Sequence, residues 1–234
     1  MKTNEILQID VQNAIKWDPL LNGAEIGVTA KDGIISLTGI VDSYAKKLEA
    51  ENVAKNVAGV KAVVEKIEVR LSSSLNKSDV DIANEVLTAI QGRWDIPSDK
   101  IKVKVEDGWI TLDGELQWNY QKEAAQNAIN YLSGVKGVTN NIVIKSETIE
   151  QIEKKDLEDA LARNWSLMLK NIVVKVTGNH VRLIGAVDSI YQKEEAGRIA
   201  WRTPGIRSVD NDLVVEYDDT YADQINKRAM PQTD

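Results

Sequence analysis

Few residues in this chain could do chemistry. His180 is the only histidine and cysteine is absent. A Ser-His-Asp relay could therefore be built only on His180, which follows a turn and reads as an exposed strand residue. A zinc site resting on histidine would lack its second imidazole, and thiolate sites, thiol nucleophiles and disulfides are excluded. The carboxylate pairs Glu194-Glu195 and Asp218-Asp219 are adjacent, and neighbours on a helix point in different directions. Gly33 to Gly39 spans a turn and a strand rather than the start of a helix, so it is no phosphate loop. We therefore expect no catalytic, cofactor or metal residues. The side chains left to carry function are the six tryptophans and the cations beside them.

What must position these residues is a module that occurs three times. Asp32-Gly33-Ile34-Ile35-Ser36-Leu37-Thr38-Gly39 is echoed by Asp107-Gly108-Trp109-Ile110-Thr111-Leu112-Asp113-Gly114 and by Gly178-Asn179-His180-Val181-Arg182-Leu183-Ile184-Gly185. Each closing glycine is followed 20 residues later by Gly59-Val60, Gly134-Val135 or Gly205-Ile206, and then by an apolar alternation. Equal spacing in three copies marks a tandem repeat.

Each copy reads as helix, strand, strand, helix, strand. First helices are expected over about Glu5–Lys16, Asp79–Gln91 and Ile149–Arg163, with Ser78 and Asp81 as one N-terminal cap and Thr148 with Gln151 as a capping box. Alternating strands lead through Asp-Gly or Gly-Asn turns into hairpins. Second helices are expected over about Tyr44–Ala58, Asn119–Ser133 and Ile190–Thr203, ending at glycines suited to positive φ. The fold class is α+β: three tandem αββαβ modules, each a three-stranded mixed sheet with two helices on one face. Boundaries fall at 1–72, 75–147 and 148–218, with a polar tail at 219–234. The linkers, Ser72-Ser73-Ser74-Leu75-Asn76-Lys77 and Ser146-Glu147, are too short to separate the modules, so these should touch.

The pattern of strand, Leu-x-Gly, helix, Gly-Val/Ile and an Asn-bearing strand resembles the BON domain family. It stands as Leu183-Ile184-Gly185 with Pro204-Gly205-Ile206-Arg207-Ser208-Val209-Asp210-Asn211-Asp212-Leu213-Val214-Val215. It recurs as Leu112-Asp113-Gly114 with Ser133-Gly134-Val135, Val138-Thr139-Asn140-Asn141-Ile142. The first copy is weaker, because Glu65-Lys66 replaces the asparagine region. The resemblance covers nearly all of residues 1–218. It implies a non-enzymatic module that binds phospholipid or membrane surfaces and supports the bacterial envelope under osmotic or general stress.

Composition narrows the partners. The formal net charge is −7, and each module is slightly acidic, so nucleic acid is not an expected partner. Bulk charge would not hold the chain to anionic lipid either. The sequence as written opens without an apolar run fit for a signal peptide or membrane span. It reads as cytoplasmic, or as periplasmic if it is the trimmed form of an exported precursor.

Trp17, Trp94 and Trp165 recur at one position and are expected to pack in the core or at module edges. Trp109, Trp118 and Trp201 align with non-aromatic residues in the sister copies and are candidate contacts with lipid or a partner. For Trp109, packing against a neighbouring module is preferred. Trp201 with Arg198, Arg202 and Arg207 is the leading candidate for an anionic headgroup or acidic partner. Two other readings remain open: a cytoplasmic scaffold that binds itself or another protein through free sheet faces, and a small-ligand or ion sensor.

Overall fold

A computed structural model describes residues 2–72, 77–145, 153–164, 166–167 and 172–216. The first module runs α1 (Asn4–Trp17), β1 (Glu25–Lys31), β2 (Ile34–Val41), α2 (Tyr44–Asn56) and β3 (Ala62–Val69). The second has α3 (Asp79–Gln91), β4 (Ile101–Glu106), β5 (Trp109–Leu116) and α4 (Asn119–Ile129). Its last strand is split into β6 (Gly137–Asn140) and β7 (Val143–Ile144). The third has α5 (Lys154–Arg163), β8 (Ile172–Thr177), β9 (His180–Val187), α6 (Ile190–Trp201) and β10 (Ser208–Val215).

In every module the central strand pairs antiparallel with the first strand and parallel with the last. The sheets are therefore mixed, as expected, with the split strand the one departure from three continuous strands. Alternation along β2, β5 and β9 sends Ile35 and Leu37, Ile110 and Leu112, and Val181 and Leu183 into three separate cores. The helices cover that same sheet face, with Leu7, Val11 and Ile15 from α1 and Ala50 and Ala54 from α2 in the first core. Small residues on the second helix let it lie close to the sheet.

The glycine near the end of the central strand in the first two modules is required by crowding. A Cβ on Gly39 (φ +145°) would sit 2.3 Å from the Glu25 carbonyl oxygen, and one on Gly114 (φ +152°) 2.2 Å from that of Lys100. The antiparallel neighbour passes too near for any side chain.

The helices stop two to four residues short of their expected ends at Ala58, Ser133 and Thr203, because a turn intervenes before the glycine. The Ser78 cap forms: the Asp81 amide donates to Ser78 Oγ at 3.2 Å. The Thr148–Gln151 capping box, both linker midpoints and the 219–234 tail lie outside the described residues.

The modules meet head to tail. Tyr44, the first residue of α2, packs against the second module's core, with its hydroxyl at the Val138 backbone. Ile190 opens α6 at the equivalent position and packs against the first module's core. There the Gly59 amide also donates to the Asp188 carbonyl at 2.8 Å, and Lys55 pairs with Glu194 at 2.8 Å. Desolvation pulls the Lys55 ammonium down, but Glu194 and Glu51 together hold it above the usual lysine range. Between the second and third modules, Asn119 and Glu123 face Trp201 and Val209. The start of the second helix thus faces the next module in each seam, and the third module returns to the first. A head-to-tail interface that closes makes a ring, here within one chain.

Candidate functional site

The six tryptophans sort differently from the sequence expectation. Trp17 is 86% exposed and Trp94 98%. Neither is core or edge packing, which corrects that reading; Trp165 lies outside the described residues. Trp17 ends α1 and Trp94 follows α3. The turn of each helix that reaches the core ends earlier, at Ile15 and Ile90. The indoles fall beyond the buried stripe and project into solvent. Lys16 precedes Trp17, Arg93 precedes Trp94, and Arg163 stands two residues before Trp165. Arg93 is held by Asp95 through two bonds of 3.0 and 2.7 Å.

Trp109 lies flat over Gly137, its cross-strand partner, where a Cβ would come within 2.2 Å of the ring. Its other face is half open, and Lys47 of the first module stands 5.9 Å from the ring centroid. This is a cation–π contact across a seam. Trp118 is half-buried and occupies the N-cap of α4, where Ser43 and Ser189 cap the sister helices. An indole N–H cannot accept from the helix. The cap is instead made in reverse, with the Trp118 amide donating to Gln121 Oε1 at 3.2 Å.

Trp201 ends α6, half-buried at the seam with the second module. The three arginines near it do not converge. Arg198 turns to the buried Glu195, whose hydrogen bond, with the nearby Glu123 charge, holds the guanidinium above its ordinary value. Arg202 and Arg207 are exposed. The basic-aromatic patch read from sequence is therefore two solvent cations beside a seam indole, with Arg198 already paired.

His180 has more partners than an exposed strand residue needs. Its Nδ1 is 2.6 Å from Ser208 Oγ and its Nε2 3.1 Å from Asp210 Oδ2. Both partners lie on β10, two residues apart on one face of the ladder. The three residue types of a hydrolytic relay meet here, yet Ser208 is itself the group held by the ring. The cluster ties β9 to β10. Among the described residues no group of carboxylates, histidine or cysteine could hold a metal ion, and no helix is long and apolar enough to cross a membrane.

The family model described as "BON domain" matches residues 3–70, 78–146 and 150–217, most of the chain. The chain belongs to the BON domain family. A curated relative of this BON-domain chain, "Osmotically-inducible protein Y" of Escherichia coli (strain K12), is 29% identical over 129 residues. That match takes in 53% of this chain and 64% of the relative, so it spans just under two thirds of the relative's length. Among solved structures, CdsD, a structural protein of the Type III secretion system of Chlamydia trachomatis, is 19% identical and aligns with 97% of this chain and 100% of its own. Its TM-score is 0.24. The PrgH periplasmic domain is 12% identical, over 85% of this chain and 98% of its own, with a TM-score of 0.21. Likeness at that level carries no argument about the BON modules here.

Proposed function

We propose that this protein is a non-catalytic module that docks on phospholipid surfaces of the cell envelope, in a role tied to osmotic or general stress. The observation that carries it is the near-complete exposure of Trp17 and Trp94, each lying just past the last core residue of its module's first helix. Exposing an indole to water is costly, whereas its flat amphipathic ring suits the boundary between headgroups and acyl chains. Both indoles leave their modules at the same end of the first helix. Lys16 adds local positive charge beside Trp17 that the net charge of −7 does not suggest. The stress assignment leans on the printed name of the Escherichia coli relative.

Arg202 and Arg207 beside Trp201 supply a second contact under this proposal, and Trp109 and Trp118 contribute to it less. The test is co-sedimentation of the intact chain with anionic and with neutral vesicles. We expect binding to anionic vesicles that weakens with salt and falls at least about tenfold, roughly 1.4 kcal/mol, in a Trp17→Ala/Trp94→Ala variant. Loss in Trp201→Ala but not in the double variant would move the site to the seam. Absence of binding to either vesicle would sink the lipid reading and favour a protein-binding scaffold.

A further inference from the structure

The three seams are equivalent in position but not in filling. In one, the Tyr44 phenol occupies the space against the next module's core, its hydroxyl at the Val138 backbone. In another, the equivalent Ile190 side chain packs against the first module's core, as Val63 does. In the third the corresponding residue is Asn119, which is smaller than either and polar, and a cavity of about 330 Å³ is left between the second and third modules.

One wall is the Trp201 ring with Val209, the counterpart of Val138; the other is Asn119, Lys122 and Gln126. Burial lowers the Lys122 pKa below the usual lysine value. Its ammonium donates to the Ile142 carbonyl at 2.7 Å.

We propose that this cavity binds a small phenolic or aryl molecule, which takes the place that Tyr44 fills in the sister seam. The ring would lie against Trp201 in offset or edge-on contact. A para-hydroxyl would meet the Val209 backbone as the Tyr44 hydroxyl meets that of Val138, and Lys122 or Asn119 would serve a polar substituent. This inference rests on the seam geometry and does not depend on lipid binding.

The probe is p-cresol, which is the tyrosine side chain as a free molecule. The full-length chain is titrated while the Trp201 indole N–H and the Val209 amide are followed by NMR. Saturable shifts at those two groups are expected, with an affinity in the millimolar range (~1–10 mM), as eight heavy atoms allow. Asn119→Tyr should fill the cavity from within, weaken p-cresol binding at least about tenfold and raise the melting temperature. Asn119→Ala keeps the cavity and should keep the binding, and Trp201→Leu should lose it. Shifts that grow without saturating, or saturable binding unchanged in both Asn119→Tyr and Trp201→Leu, would overturn the proposal.

Discussion

Position 65 shows how one side chain reroutes a local network. In the second and third modules an asparagine ties the last strand to the second helix. Asn140 Nδ2 donates to the Lys122 carbonyl at 3.1 Å while its Oδ1 accepts from the Ile142 amide at 3.2 Å. Asn211 does the same with Lys193 and Leu213. Glu65 can still accept from the Ile67 amide but has no proton to donate to the helix. Lys47 therefore reaches it with its ammonium at 2.9 Å, so the weakest copy of the motif keeps the strap by other chemistry. Asn130 is the opposite case. It is buried, its Nδ2 reaches Asn127 at 3.4 Å, and its Oδ1 has no partner. An unmet buried acceptor costs on the order of 1–3 kcal/mol, so Asn130→Leu, which is close in volume, should stabilise the protein by about 1 kcal/mol in urea unfolding. The motif asparagines were visible in the sequence as a spacing. Their bonds were not, because those join residues 18 apart. Trp17 and Trp94 were misplaced for a related reason: they were aligned by their spacing to the strand glycine, whereas the helix register pairs Ile15 with Ile90 and leaves each tryptophan beyond the core stripe.

Elements in this fold are fastened at their ends. The Asp-Gly turns are legible because residues with positive φ are confined to a few types; Asp32 and Gly33 sit at φ 52° and 85°, Asp107 and Gly108 at 49° and 80°. What the sequence did not disclose is that the first residue of the preceding helix clamps each turn. Asn4 Oδ1 accepts from the Asp32 amide at 2.8 Å. The Asp79 carboxylate accepts from the Asp107 and Gly108 amides at 2.8 and 2.9 Å. Asp79 also places a negative charge at the positive end of α3, which is favourable there. Asp79→Ala should cost about 1–2 kcal/mol of stability. It should speed hydrogen exchange at Asp107 and Gly108 without changing the β5–β6 pairing. Unchanged exchange at those amides would show that the clamp carries no load.

At the scale of the whole chain, the closure of the ring has a consequence for cooperativity. Modules of about 70 residues hold small cores, and arrays of such units share stability through nearest-neighbour interfaces. In a linear array the first module would touch the second alone. Here it touches both, through Tyr44 on one side and through Ile190, Asp188 and Glu194 on the other. Truncating a half-buried anchor of this size costs about 2 kcal/mol. Tyr44→Ala opens one seam but leaves the first module docked on the third, so unfolding should stay a single transition at a lower midpoint. Tyr44→Ala combined with Ile190→Ala weakens both of its seams. The first module should then melt ahead of the other two, and the calorimetric trace should split. A linear arrangement makes the opposite forecast, since Tyr44→Ala alone would already release the first module. Differential scanning calorimetry of the two variants therefore distinguishes a closed ring from a string of modules.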